Sequence, residues 1–431
     1  MIRAVFCGAG GKIMDVLIIG SRGRDHALAI ELEKDPRVDN VFCIPGNGGL
    51  AGIATCIKMD IFDFDGIVEF LDANPKIGLT IVSPDELLAK GLTDLLNAKG
   101  HRAFGCSALA ARVESSKEFA DGLCQKYGIP APKFTVFSDY TKAKKFVKTQ
   151  AFPLVVKTDG RTGGKGIVFC HNMREAENAL YDIMVVKRFG SSGDKVVIEE
   201  FVKGEIVTVM AFMDGKTIKA LPAVENYKRV FDGNLGMSTA GMGASMPAKC
   251  CTPEIEQEIY DKLLVPTMHA LNTEGATYKG VIGLNIVITE TEVKVVDFVS
   301  RICDSEGQVI IPIIETPLLD VFNATIDGEL DKIDFKVKDT SCVCVVTTSG
   351  GYPLEYNKNI KINIPDDLDE NVFIFHSGTK LTDGELRTSG GRVLAVTSFG
   401  ESKEKCAKAV YDVLSKISYD GMHYRKDIAK N

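Results

Sequence analysis

The residues best suited to chemistry in this chain are a run of glycines between lysines, Lys157-Thr158-Asp159-Gly160-Arg161-Thr162-Gly163-Gly164-Lys165-Gly166. The run separates two apolar, β-branched stretches, Pro153–Lys157 and Ile167–Cys170, and so predicts a strand, a glycine-rich turn and a second strand. Backbone N–H groups of such a hairpin can wrap a triphosphate, and Lys157 and Lys165 can neutralise its charge. A P-loop would run GxxxxGK[ST] into a helix, whereas here GKG runs into a strand. By itself the hairpin has two open readings: a phosphate lid, or a plain turn with solvated lysines.

Two more clusters follow. Val196–Phe201 (VVIEEF) closes on Glu199 and Glu200, then continues as Val202-Lys203-Gly204-Glu205. The apolar backbone at Phe201–Val202 suits an adenine edge, and the carboxylates suit an amino group or ribose hydroxyls. A solvated strand end is the other reading. Farther on, Val281–Ile288 and Val293–Phe298 read as paired strands joined by a polar turn, with Asp297 at the end of the second and Arg301, Asp304 and Glu306 beyond it. Acidic side chains beside an arginine at a strand end fit Mg²⁺ and phosphate, because Mg²⁺ takes a few protein oxygens together with substrate phosphates. Asn285 lies among apolar residues on the facing strand, where an amide is costly unless its polar atoms are satisfied. It either shares a cation with Asp297 or bonds to neighbouring backbone.

The elements that must position these groups alternate along the chain. A strand at Met14–Gly20, the turn Ser21-Arg22-Gly23-Arg24 and a helix through Asp35 are followed by β-branched runs at Val41–Ile44, Ile77–Val82 and His101–Phe104, with the amphipathic stretch Phe62–Asp72 between them. This alternation predicts βαβ units and a parallel sheet. The turn is GSRG, so the GxGxxG dinucleotide fingerprint is absent and an NAD-dependent oxidoreductase is the weaker reading. A helix then runs from Ser115-Ser116-Lys117 to Tyr127, and from about Asp331 a smaller α+β unit carries Gly350-Gly351-Tyr352-Pro353, His376–Lys380 and Gly390-Gly391-Arg392. The expected organisation is an unstructured extension at 1–13, a Rossmann-like parallel-sheet domain at 14–116, a central module of two α+β subdomains at 117–330 with a lid at about 135–205, and a small α+β domain at 331–431.

Composition sets outer limits. A chain of 431 residues exceeds what one hydrophobic core serves. A net charge of −7 argues against a general nucleic-acid or membrane-surface binder, and no apolar run approaches a membrane span. The 12 cysteines are scattered without a CxxC, which predicts reduced thiols in a cytoplasmic protein. Six scattered histidines without HExxH argue against zinc.

The lysine-bearing strand, glycine-rich hairpin, EEF strand end and acidic strand pair, in this order, resemble an ATP-grasp enzyme. More narrowly, the chain resembles the phosphoribosylamine–glycine ligases (glycinamide ribonucleotide synthetases) of purine biosynthesis. The resemblance runs from Met14 to Ile428 through GSRGRDHALA at Gly20–Ala29, PGNGG at Pro45–Gly49, SSK at Ser115–Lys117, VVKTDGRTGGKG at Val155–Gly166, YKRVFDG at Tyr227–Gly233, GMGA at Gly241–Ala244, HSGTKL at His376–Leu381 and GGRVL at Gly390–Leu394. It implies ATP as co-substrate with Mg²⁺ or Mn²⁺, and glycine and 5-phosphoribosylamine as the other substrates, joined through glycyl phosphate without a protein nucleophile. It further implies a monomer or weak homodimer with no nucleic-acid or membrane partner.

Carried onto this sequence, the resemblance implies that Lys117, Lys157 and Lys165 hold ATP phosphates and that Gly160, Gly163, Gly164 and Gly166 form the lid. Glu199, Glu200, Phe201, Val202 and Glu205 line the rest of the nucleotide site. Asp297 takes the place of the metal-binding Glu, with Asn285 beside it, and Arg301 and Asp304 are the catalytic candidates. Gly23, Asn47, Asp85, Lys380 and Arg392 are expected to hold the phosphorylated acceptor. Several positions depart from the family pattern: Val299 stands where the family has a ligating Asn, Ile206 where it has the second Glu of GEE, Ala240 where it has a Gly, and Ser83 and Asp85 replace the Gly and Glu of GPE. Three outcomes follow from the departures: a working ligase with an adapted site, an ATP-grasp ligase for another amine or acid, or a nucleotide-binding pseudoenzyme.

Overall fold

The computed structural model describes residues 13–160, 162, 165–365 and 367–430. The expected extension therefore lies outside the described residues, Ile13 excepted.

Apolar runs, most deeply buried at Met14–Gly20, form a five-stranded parallel sheet in the order Thr55–Cys56, Val38–Pro45, Met14–Gly20, Ile77–Val82, Ala103–Phe104. Strand order reverses at Met14–Gly20, so the crevice beyond its carboxyl end is where such a sheet receives ligands. The helix Gly23–Glu33 starts at that crevice.

A second, antiparallel sheet lies in the segment expected to be the lid, ordered Phe134–Phe137, Val196–Glu200, Leu154–Thr158, Ile167–Cys170. Helices Tyr140–Val147 and Met173–Leu180, capped by Asp139 and Asn172, cover one of its faces. The lid closes a hydrophobic core of its own from Ala143, Val147, Leu154, Val156, Leu180 and Ile198.

The third sheet is the spine of the molecule. It runs Val293–Val299, Gly280–Ile288, Glu205–Met213, Val224–Asn226, Gly243–Met246, Ser341–Thr348, Arg392–Gly400, Val372–His376, with Ile218–Ala220 paired to Glu205–Met213 as a ninth strand. Pairing of Gly243–Met246 with Ser341–Thr348 carries it across residue 331, so the central module and the C-terminal unit share one sheet. The strand Glu205–Met213 is third along it, between Gly280–Ile288 and Val224–Asn226.

Candidate active site

Three elements converge on Asp297. Helix Lys117–Tyr127 opens at Ser116, whose side chain accepts from Phe119 N, and presents Lys117 and Asp121 one turn apart on one face. Asp159 accepts from Ser116 Oγ at 3.1 Å and Glu118 N at 2.8 Å, tying the end of the lid strand to the start of this helix. From the lid, the buried Lys157 pairs with Glu199 at 2.6 Å and donates to Val296 O at 2.8 Å. Lys117 pairs with Asp297.

Protonation at this cluster is divided. Burial, and then the Glu199 carboxylate, push the Asp121 carboxyl up to about 7 against the pull of Lys157 and Lys117. Burial also opposes ionisation of Asp297, but Lys117 and Lys157 beside it hold it below the ordinary carboxylate range. Among the described residues, Asp121 Oδ2 and Glu199 Oε1 are buried without a hydrogen-bond donor. A ligand amino group or hydroxyl would remove that cost.

Strand register builds the floor. Asn285 is directly opposite Asp297 on one side and Thr208 on the other, so the three side chains share one face of the spine sheet. Thr208 Oγ1 lies 2.9 Å from Asn285 Oδ1 and 3.3 Å from Glu306 Oε1. Val299, two residues beyond Asp297 on the same face, offers no ligand atom. Among the described residues no three His, Cys, Asp or Glu side chains converge on one point. A hard cation here would rest on Asp297 and Glu306 with the nucleotide phosphates, which suits Mg²⁺ or Mn²⁺. Asn285, the other expected ligand, faces Asp297, and its Oδ1 accepts from Thr208 and from Lys228 Nζ, the latter at 3.0 Å.

The residues expected to hold the acceptor lie at the crevice of the parallel sheet. Asn47 Nδ2 donates to Ser21 O at 2.9 Å and His376 O at 2.8 Å, while Gly23 N donates to Ser377 Oγ at 2.8 Å. These bonds draw the loop carrying Lys380 onto the N-terminal domain. Gly378 N donates to Arg392 O at 2.8 Å, which brings the backbone of Arg392 beside the same loop. A Cβ at Gly23 would fall 2.3 Å from Gln308 Nε2, which explains the glycine.

Arginines line this crevice. The buried Arg24 donates to Ile302 O and Ser83 O, each at 2.9 Å. Arg301 pairs with Asp85 at 3.2 Å and Glu114 at 3.4 Å. Arg392 donates to Ala240 O at 2.9 Å and Asp304 O at 3.0 Å, and faces Asp304 Oδ2 at 3.4 Å. Burial opposes ionisation of Asp304, but Arg392 and Arg24 keep its carboxyl low. Arg22 reaches solvent yet is densely surrounded, so it lines an open cleft. Burial, then Arg24, Arg392 and Arg301, lower its guanidinium to about 10, which leaves it charged at neutral pH. Its side chain has no ion pair among the described residues.

Other expected residues are placed as follows. A Cβ at Gly160 would meet Ser192 Cα at 2.7 Å, and one at Gly166 would meet Thr158 Oγ1 at 2.3 Å, while Gly163 and Gly164 lie outside the described residues. Lys165 and Lys380 are exposed. Glu200 pairs with Lys294 at 3.3 Å, and the Phe201 ring packs edge-on to Phe169 beside the half-buried Val202. Strand alternation puts Glu205 on the face opposite Thr208, and Ile206, 48% exposed, lies on the face of Thr208. The sequence reading passed over Arg22, Asp121 and Lys228. Arg22 and Lys228 stood within GSRG and YKR, and Asp121 stood four residues from Lys117.

Comparison with known proteins identifies the family. Family models described as phosphoribosylglycinamide synthetase match in three parts: the N domain at residues 14–114, the ATP-grasp (A) domain at 115–307 and the C domain at 342–431. The chain belongs to the phosphoribosylglycinamide synthetase family. It is 37% identical over 417 residues to the phosphoribosylamine–glycine ligase of Caldanaerobacter subterraneus, covering 96% of this chain and 99% of the relative. Against the Nostoc ligase the identity is 38%, with 96% and 99% covered. The crystal structure of the Thermotoga maritima phosphoribosylamine–glycine ligase superposes with a TM-score of 0.83 at 27% identity, covering 96% of this chain and all of that one. A biotin carboxylase from Campylobacter jejuni shares the fold, with a TM-score of 0.73 at 12% identity over 97% of this chain and 93% of that one. This synthetase-family chain is thus an ATP-grasp ligase, and among its described residues no helix is long and apolar enough to cross a membrane.

Proposed function

We propose that this chain joins glycine to 5-phosphoribosylamine at the cost of ATP, in the cytoplasm, as a monomer or weak homodimer. The observation that carries the reading is the polar row Asp297–Asn285–Thr208–Glu306, which runs from the nucleotide lysines to the arginine-lined crevice. A carboxylate oxygen of glycine displaces ADP from the γ-phosphorus to give glycyl phosphate. The amine of phosphoribosylamine then attacks the acyl carbon, phosphate leaves with the C–O bonding pair, and the amine gives up a proton. Catalysis of both steps is positioning and charge neutralisation.

Lys117, Lys157 and Lys165 neutralise the phosphates, and Gly160 to Gly166 close over them. Glu199 accepts from the adenine amino group, and the backbone at Phe201 and Val202 reads the ring edge. Bound at Asp297 and Glu306, Mg²⁺ or Mn²⁺ would neutralise charge on the transferring phosphoryl group. Lys117 must release Asp297 when nucleotide arrives, since the same carboxylate now pairs with it. Arg22, Arg392 and Lys380 receive the ribose 5-phosphate, with Gly23 and Asn47 shaping the pocket. Arg301, positioned by Asp85, and Asp304 face the joining carboxylate and amine. The test is ADP release with both substrates and with each omitted. Dependence on both is expected. Another acceptor pair, or nucleotide binding without turnover, would overturn the assignment.

A further inference from the structure

Three lysines reach the nucleotide floor, and they are held in different ways. Lys117 faces the Asp297 carboxylate and Lys157 the Glu199 carboxylate, whereas Lys228 Nζ meets the neutral amide oxygen of Asn285 at 3.0 Å. Among the described residues Lys228 forms no ion pair. Its backbone is pinned, because Thr239 donates to Lys228 O through both N and Oγ1 at 2.8 Å. Asn285 is fixed in turn by Thr208, which also accepts from Asn226 Nδ2. Lys228 is near enough to Asp297 to help keep that carboxyl ionised. An amide orients an ammonium without cancelling its charge, so a cation held in this way stays available to an anion.

We propose that Asn285 is a positioning residue that holds Lys228 as a resident cation for the terminal phosphates of the nucleotide, taking over charge neutralisation that a site richer in oxygen ligands would leave to divalent metal. The proposal rests on the nucleotide reading above and makes Asn285 an anchor of lysine. Nucleotide should then bind appreciably without any divalent cation.

The experiment is calorimetric titration of the full chain with ADP in EDTA and again in Mg²⁺, with Tm recorded for each variant. Lys228→Met should weaken metal-free binding by about tenfold or more, the scale of one charge-assisted hydrogen bond. Lys228→Arg should keep most of the affinity. Asn285→Ala should weaken binding in the same direction but less, and the double variant should bind no more weakly than Lys228→Met alone. If Lys228→Met folds poorly, Lys228→Gln, with unchanged Tm and the same loss in EDTA, carries the test. Metal-free affinity equal to the parent's in either neutral variant would overturn the proposal. So would losses that multiply in the double variant, which would mean that Asn285 acts on metal or nucleotide independently. A parent that binds no nucleotide even with Mg²⁺ would instead defeat the ligase reading, a separate failure.

Discussion

Lys117 and Lys157 on one side of the site, and Arg24 and Arg392 on the other, are held by contrasting means. In the nucleotide half, Lys117 and Lys157 are paired with carboxylates, and Asp121 and Glu199 keep buried oxygens without donors. In the acceptor half, Arg24 and Arg392 are held largely by main-chain carbonyls, and Arg22 is left without an ion pair among the described residues. Carboxylate-held lysines exchange one anion for another when phosphate arrives, so that half must rearrange to bind. Carbonyl-held arginines are fixed before any ligand comes, so that half is preorganised. Preorganisation limits the entropy lost on binding.

The sharpest way to break this contrast is Lys157→Met. It removes a cation proposed for the phosphates and leaves Glu199 as an uncompensated buried charge, which costs about 3–5 kcal/mol when a buried pair is broken from one side. Denaturant unfolding should show that loss, and MgATP affinity should fall by about a hundredfold or more. Unchanged stability would mean that the pair is looser than its 2.6 Å geometry indicates.

A pair of arginine variants separates holding from binding. Arg392→Ala should cost about 2–4 kcal/mol of stability, because the carbonyls of Ala240 and Asp304 lose a buried charged donor. Arg22→Ala should leave Tm nearly unchanged yet raise the KM for phosphoribosylamine by about tenfold or more, the KM for ATP staying put. A destabilised Arg22→Ala would erase the distinction drawn between the two.

The smallest expected effect is at Asp121. Its folded carboxyl titrates near 7, above the ordinary 3.8, so the native state retains a proton that the unfolded chain has already released. Stability therefore falls as pH rises from about 4 to 7 and levels off above that range. Asp121→Asn removes the penalty, and it should gain about 1–4 kcal/mol over the parent at pH 8 and little at pH 4. Urea midpoints across that range check the sign, and an equal gain at both ends would show that ionisation is not the cause.

What the sequence made legible was local. A strand, four glycines and a second strand within 18 residues predict a hairpin whatever surrounds it, and the facing of Asn285 and Asp297 followed from two adjacent strands joined by a short turn. What it hid was non-local or one residue wide. Arg22 gains its meaning from Arg301 and Arg392, which arrive hundreds of residues later. The continuity of the spine sheet depends on Gly243–Met246 pairing with Ser341–Thr348 across nearly a hundred residues. Glu205 and Ile206 differ by a single step, which in a strand is the difference between opposite faces. Lys228 was visible as a residue, but its partner was not, because the bond to Asn285 joins segments that no periodicity connects.

The lid's private core has a consequence in time and temperature. Ala143, Val147, Leu154, Leu180 and Ile198 pack with one another apart from the cores beneath the parallel and spine sheets. A body with its own core can open or melt as a unit while the rest stays folded. Slow warming should therefore silence the enzyme before it unfolds it, and the calorimetric trace should carry a small early shoulder that bound nucleotide pulls up into the main transition.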